Sequence, residues 1–539
     1  MFSALLAAVH ILSNVAVPMR DGVKLAADVY LPAAEGKHPA LLYRTPYDRR
    51  GLRGAGEWFA SRGYAVVAQD VRGRFGSEGA FYAFVNEGPD GYDTIEWAAA
   101  QSWSNGQIGT IGASYLAWDQ YFAAMFKPPH LVAMYADVGG NNFYREFAYP
   151  GGAPNLGWTV WMLRSAATSG RSPAAPLAPI LKDPSGWFSL PRARRAEVFA
   201  NFPEQAKMFD DFYAHPSFDA YWKQQGFLIE SGWKRMKDIP VFFVSGWYDY
   251  FVEGLIENFQ ALSKRQKTVK KMWLGPWPHA VGQSKCGQVD FGPAAGQDMR
   301  EVALEWFGHW MRGTPFRRIG AEAVRSFRMG GGAGGAAHGG EWTHFASWPP
   351  PGSRLRSYYL QEGGSLGPER SRGQDEIRHD PANPVPSVGG RYTMVPTIPP
   401  CAQDQSRLDG RPDILRFQTQ PLAEPVEVAG MVRARLWVSS SAASTDFTAK
   451  LIDAAPDGFA LILGDGIRRV SIPPGQPRMA DVEIGSVHNL FARGHRIRLD
   501  VASSNYPRAE TNPESARNTV FHDARRASAL ELPVLGSGR

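Results

Sequence analysis

The feature that most constrains this chain is a rhythm in its first half: short, continuously apolar runs separated by helical patterns. Ala40-Leu41-Leu42-Tyr43 ends in Thr45-Pro46, Tyr64 to Ala68 ends at Gln69-Asp70, and Ile108 to Ile111 ends at Gly112. Between them, Tyr92 to Ala100 places Ile95, Trp97, Ala98 and Ala99 mostly on one helical face. A strand that is apolar along its whole length must be covered on both faces. That condition is met by a mostly parallel sheet with crossover helices on each side, so an α/β architecture is expected. Upstream, Val15 to Met19 and Leu25 to Leu31 flank Arg20-Asp21-Gly22, a hairpin signal.

The rhythm breaks near Gly140. Residues 140–237 are rich in Trp, Phe, Pro and Ala, with helical stretches such as Trp158 to Ala167 and Arg194 to Phe202. Strand signals return at Val241-Phe242-Phe243-Val244 and Met272-Trp273-Leu274, and Glu301 to Met311 reads as a last amphipathic helix. A helical cap inserted between strands of one sheet fits this order, closing over the C-terminal strand edge. From about Ser326 the pattern changes to period two, as in Val426 to Val438, Thr448 to Ile452 and Ile497 to Val501. A β-sandwich or jelly roll follows from that pattern. The expected division is 1–139 and 238–320 for the α/β domain, 140–237 for the cap, and 321–539 for the β domain. The glycine-dense stretch Met329 to Gly340 lacks the Gly-Lys-Ser/Thr ending of a phosphate loop and reads as a flexible connection.

Several function classes drop out. The 17 Trp, 19 Tyr and 30 Phe rule out a disordered chain. The net charge of +6 is spread thinly, and the densest basic run, Arg192-Ala193-Arg194-Arg195, reads as a solvated helix face rather than a nucleic-acid stripe. No stretch reaches the roughly 18 apolar residues of a membrane span. Phe2 to Leu12 is apolar but lacks a basic n-region and a small-x-small cleavage site, so it reads as a leader remnant or a short packed helix. The compartment stays open, with the cytoplasm slightly favoured. Cys286 and Cys401 exclude a disulfide framework and a cysteine zinc site, and two unrelated buried thiols are favoured over a bridge. No metal-ligand motif is present, and no cofactor is expected. The β domain offers contacts for a homo-oligomer.

Gly112-Ala113-Ser114-Tyr115 follows directly on the strand Ile108–Ile111 and precedes a helical run to Met125. Strand, sharp turn and helix form the setting of a nucleophile elbow, which needs a small residue two before the serine. Gly112 supplies it; the residue two after is Leu116, so the strict Gly-x-Ser-x-Gly pattern fails. A strand that merely ends in a serine turn is the bland alternative. Later positions decide between them. Val241–Val244 runs into Ser245-Gly246-Trp247-Tyr248-Asp249, and Met272–Leu274 runs into Gly275-Pro276-Trp277-Pro278-His279. Ser, Asp and His, each just past a strand and in that order, are the triad of an α/β-hydrolase. Ser114 would attack a carbonyl, His279 would take its proton, and Asp249 would fix the imidazole tautomer. The backbone N–H of Tyr115 would meet the developing oxyanion.

With these residues in view, the chain resembles the cocaine esterase, glutaryl-cephalosporin acylase and α-amino-acid ester hydrolase group, related to the X-Pro dipeptidyl-peptidases of peptidase family S15. The resemblance rests on Pro18-Met19-Arg20-Asp21-Gly22, Arg44-Thr45-Pro46-Tyr47, Gln69-Asp70-Val71-Arg72-Gly73 and Gly76-Ser77-Glu78-Gly79. It continues through the three triad motifs to Asp446-Phe447-Thr448-Ala449 and Gly494-His495-Arg496-Ile497-Arg498-Leu499. It implies an α/β-hydrolase domain with a helical cap and a C-terminal jelly roll. It nominates the Tyr47 hydroxyl as the second oxyanion donor and Phe251 as an acyl-pocket residue, with Trp158 and Trp161 as further candidates. Two departures stand out. Ala117 replaces the usual glycine three after the nucleophile. Tyr250, Phe251 and Val252 replace the carboxylates that bind a substrate ammonium, although Glu253 is within a turn. The expected substrates are small esters or amides with apolar or aromatic acyl groups. Amide hydrolysis by a dipeptidyl-peptidase or β-lactam acylase is the alternative within the class, and a non-catalytic binding protein the alternative outside it.

Overall fold

The computed structural model describes residues 9–169, 175–332, 334–335 and 337–536. The first sheet holds β1 (His10–Pro18), β2 (Lys24–Leu31), β3 (His38–Thr45), β4 (Ala65–Asp70), β5 (Ser104–Ala113), β6 (Leu131–Asp137), β7 (Val241–Gly246) and β8 (Lys270–Gly275). Their spatial order is β1-β2-β4-β3-β5-β6-β7-β8, antiparallel as far as β4 and parallel from there on. Every residue of β4, β7 and β8 is buried, which is why these segments are apolar without alternation. The helices Glu87–Ala99 and Tyr115–Met125 pack together, and Met299–Arg312 lies against β6. The fold is that of an α/β-hydrolase.

Two strands depart from expectation. β6 carries a full apolar run, yet no strand was expected between Met125 and the cap; it fills the gap between β5 and β7. Of the Phe2 to Leu12 segment, residues 2–8 lie outside the described residues. His10 to Leu12 open β1 and pair with Leu31 to Val29, so they are strand rather than packed helix.

The cap contains the helices Leu156–Ala167 and Pro203–Ala214 among several shorter ones. Leu156–Ala167 starts where it does because the Asn155 side chain accepts the Gly157 N–H at 2.8 Å. Arg192 to Arg194 are exposed, as a solvated face requires, but Arg195 is not. It is 3% exposed and forms an ion pair with Glu510 of the C-terminal region, so it ties cap to β domain. Arg74 ties the cap to the α/β domain, donating to the carbonyls of Pro46 and Ser165 at 3.0 Å each.

The C-terminal part is β-rich. Its long pairs are antiparallel: Val426–Ser440 with Arg478–Phe491, and Ser444–Ala454 with Ala460–Ser471. Val324–Gly330 pairs in parallel with β8, Val324 opposite Met272, and so extends the first sheet beyond residue 320. The same strand pairs with Gly340–Phe345, which makes the glycine-dense stretch a strand connection. The expectation of two unrelated thiols is also corrected: Cys286 and Cys401 form a disulfide across 115 residues, with Cα atoms 5.3 Å apart. Both are buried as expected, but sequence spacing carries no information on which buried thiols meet. Among the described residues no helix is long and apolar enough to cross a membrane.

Candidate active site

β5 ends at Ala113, and Ser114 occupies the turn into the helix Tyr115–Met125 with φ 62° and ψ −122°. A non-glycine residue pays about 1–3 kcal/mol for such a backbone. The turn is held by the Ser114 N–H donating to the Asp137 carbonyl at 2.9 Å, while the Ser114 carbonyl accepts from Ala117 at 2.8 Å and Trp118 at 3.1 Å. Gly112 has φ 151°, and a Cβ there would lie 2.4 Å from Leu116 Cβ. The following helix therefore demands the glycine. Ala117 is accommodated because residue 139 is glycine, where a Cβ would come 2.8 Å from the Ala117 methyl.

Tyr115 opens the helix, so its N–H has no intrahelical acceptor. Its side chain is anchored below the site. The hydroxyl donates to Glu87 Oε1 at 2.7 Å and accepts from the Phe84 N–H at 2.8 Å. Glu87 in turn pairs with Arg44 at 2.8 Å, both buried.

The two later motifs are laced together. Trp247 N–H donates to the Gly275 carbonyl at 3.0 Å, and Tyr248 N–H to the Trp277 carbonyl at 3.1 Å. A Cβ on Gly246 would fall 2.0 Å from that Trp277 oxygen, so the approach requires glycine. The lacing brings Asp249, fully buried, to His279: Nδ1 lies 2.5 Å from Asp249 Oδ2, and Oδ1 accepts the Phe251 N–H at 2.8 Å. A carboxylate can only accept, so the imidazole proton sits on Nδ1 and Nε2 is left as acceptor. Seven residues further on, Cys286 fixes this loop to the β domain through its disulfide.

A cavity of about 460 Å³ opens above Ser114, lined by Tyr47, Trp161, His279, Tyr250 and Tyr392 among others. Tyr47 reaches it from the loop after β3. Its hydroxyl accepts the Trp161 indole N–H at 2.9 Å, which uses an oxygen lone pair and leaves the phenol proton to donate elsewhere. The residue as a whole is 45% exposed, yet desolvation of the hydroxyl by the surrounding cavity walls pushes this phenol up to about 12. Of the three residues expected to line the acyl pocket, only Trp161 does. Trp158 stacks behind it at 4.8 Å, and Phe251 packs at 5.5 Å against Trp118 under the site. Glu253 does not enter: Oε1 accepts from Arg391 at 2.5 Å and Oε2 from the Ser486 hydroxyl at 2.7 Å. Tyr250 lines the cavity as one of the uncharged residues that stand in place of ammonium-binding carboxylates, whereas Tyr392 and Met394 also line it and were not anticipated. Tyr392 belongs to an irregular segment, positioned by its N–H to the Tyr248 carbonyl at 2.8 Å, and no periodicity marks it.

Two family models match this chain: X-Pro dipeptidyl-peptidase (S15 family) over residues 21–281, and the X-Pro dipeptidyl-peptidase C-terminal non-catalytic domain over 320–531. Cocaine esterase of Rhodococcus sp. (strain MB1 Bresler) is 34% identical over 581 aligned positions, covering 97% of this chain and 98% of that protein. The chain belongs to the S15 family. Solved structures agree with this S15 assignment at the level of fold. An aminopeptidase from the marine sediment archaeon Thaumarchaeota archaeon superposes with a TM-score of 0.83 at 25% identity, over 99% of this chain and 98% of its own. An α-amino acid ester hydrolase gives 0.83 at 24% identity, with the same coverage. This S15 chain is thus a serine ester hydrolase, with amide chemistry compatible with the family.

Proposed function

We propose that Ser114, His279 and Asp249 form the catalytic triad, and that the enzyme cleaves carboxylic esters whose acyl groups are uncharged and apolar or aromatic. The observation that carries the reading is the Asp249–His279 pair, whose carboxylate is buried and whose imidazole lines the same cavity as Ser114. Ser114 Oγ attacks the ester carbonyl as its proton passes to Nε2, and Asp249 stabilises the imidazolium. The oxyanion is received by the Tyr115 N–H and the Tyr47 hydroxyl. The imidazolium returns its proton to the departing alcohol, and water repeats the sequence on the acyl-Ser114 ester. Amides would follow the same steps.

The substrate class follows from charge. Ala113, Ala167, Leu181 and Met394 contribute apolar wall, and among the described residues the cationic side chain on the wall is Arg164. Glu253, the nearby carboxylate, is already held by Arg391 and Ser486. A substrate α-ammonium would face a guanidinium, with no carboxylate among the described lining residues to pair with it, and an unpaired buried charge is costly. The test is kcat/KM on matched p-nitrophenyl esters of phenylacetic acid and phenylglycine, with the corresponding anilides. The neutral ester should be preferred by about tenfold or more, a difference of ~1.4 kcal/mol. Preference for the ammonium-bearing ester would overturn the substrate assignment.

A further inference from the structure

Arg44, Arg391 and Arg195 are each held by a carboxylate, those of Glu87, Glu253 and Glu510. Arg164 is different. It lies on the wall of the catalytic cavity, half-buried, and has no carboxylate partner among the described residues. The hydrogen bond it makes there runs from an Nη2 N–H to the Met394 carbonyl at 3.4 Å, long for a bond of this kind. A guanidinium carries five N–H donors in a planar fork, so most of that fork is left for a ligand.

The fold explains why the charge is in the cavity. Trp161, Arg164 and Thr168 recur at helical spacing, so one face of Leu156–Ala167 and its cap presents all three to the cavity. A cation in the last turn suits the helix dipole, but a guanidinium extended into water would suit it equally. The position relative to the base is also defined. His279 returns its proton to the departing alcohol, so that half of the substrate lies beside His279. Tyr392 lies parallel to the imidazole at 5.6 Å, Met394 follows two residues on, and Arg164 reaches the Met394 carbonyl. The wall that runs away from His279 ends at the guanidinium. Ala167, Leu181 and Met394 line the same cavity, and an ion pair formed among apolar atoms is stronger than one in water.

We propose that Arg164 sets specificity at this site by binding a carboxylate carried on the leaving alcohol. The preferred substrates are then esters that join an uncharged acyl group to a hydroxy acid, and the fork of Arg164 meets both carboxylate oxygens. The bonds made and broken are those of attack by Ser114, and Arg164 touches none of them. Its pairing is made in the ground state and the transition state alike, so it is felt in KM rather than kcat. The inference rests on the reading of an uncharged acyl group.

Phenylacetyl esters of p-hydroxyphenylpropanoate and of the matching propanamide test it. They differ in charge but not in leaving-group basicity, because a saturated spacer insulates the phenol. Wild-type kcat/KM should favour the carboxylate by about tenfold or more, through KM, as a hydrogen bond between charged groups provides. The preference should vanish in Arg164→Gln and persist in part in Arg164→Lys, which keeps the charge and loses the fork. A role confined to holding the Met394 segment would change both esters together, so an unchanged ratio in Arg164→Gln overturns the assignment. A wild-type ratio of one or less overturns it without any variant, which covers an Arg164→Gln that folds poorly. A second pair, the phenyl esters of p-carboxyphenylacetate and its carboxamide, places the charge on the acyl half. Preference for the charged ester in this second pair alone also overturns the assignment. Preference for an ammonium-bearing phenylglycine ester overturns the uncharged-acyl reading instead, whereas equal cleavage of the two phenylacetyl esters removes Arg164 alone.

Discussion

The hydroxyl of Tyr47 is aimed by one bond, and removing the donor of that bond tests the oxyanion assignment more finely than removing Tyr47 itself. Trp161 Nε1–H donates to Tyr47 Oη at 2.9 Å, and Trp161 is 6% exposed. Trp161→Phe keeps an aromatic ring against Trp158 and Tyr115 but deletes the N–H. A neutral hydrogen bond is worth about 0.5–1.5 kcal/mol net, which corresponds to a loss of roughly 2- to 12-fold in kcat if all of it is felt in the transition state. Tyr47→Phe removes an oxyanion donor outright and should cost about 10²–10³-fold. If Trp161 acts through Tyr47, the two losses cannot add: Trp161→Phe should change kcat little in a Tyr47→Phe background. The assay is kcat at saturating aryl ester for the four proteins of the cycle, with KM followed separately because Trp161 also lines the cavity. Equal losses from Trp161→Phe in both backgrounds would refute the reasoning, because independent sites add.

Asp249→Asn preserves the shape of the buried pair but favours the wrong tautomer, and should lower kcat by about 10⁴-fold; steady-state rates on the same ester check it. The pH dependence of the Tyr47 effect follows from the direction of its shift. The fold favours the protonated phenol, holding it up at about 12, so donation is intact below the ordinary phenol range and is lost only as pH rises through the folded value. The ratio of wild-type to Tyr47→Phe kcat/KM should stay flat from pH about 8 to about 10.5, whereas a decline centred near 10 would show an unshifted phenol. Reducing the Cys286–Cys401 bridge, which closes a 115-residue separation, should lower stability. Chain entropy puts the loss at about 2–5 kcal/mol, read as a fall in Tm with reductant that a Cys286→Ser variant no longer shows.

Much of the scaffold was legible because its physical demands are local. Strands buried on both faces must be apolar throughout, and an elbow beside a helix must have glycine at 112. Asp249 and His279 were legible because each closes a strand whose end opens on the site. β6 escaped although most of Leu131 to Asp137 is buried, because the helical pattern before it gave no reason to expect another crossover. The walls of the cavity escaped for a different reason. Trp161 and Trp158 are three residues apart on one helix, and only packing decides which one reaches Tyr47. Tyr392 arrives from the β domain through an irregular segment, and Cys401 meets Cys286 by the same long-range route. Arg195 looked like a surface charge because its partner, Glu510, is 315 residues away.

The account stands or falls on Ser114. Incubating the folded enzyme with a fluorophosphonate and mapping the labelled peptide by mass spectrometry tests it directly. The account predicts stoichiometric modification of Ser114, loss of esterase activity in step with labelling, and no labelling of Ser114→Ala. Modification of a different serine, or an inactivated enzyme whose Ser114 is untouched, would contradict it.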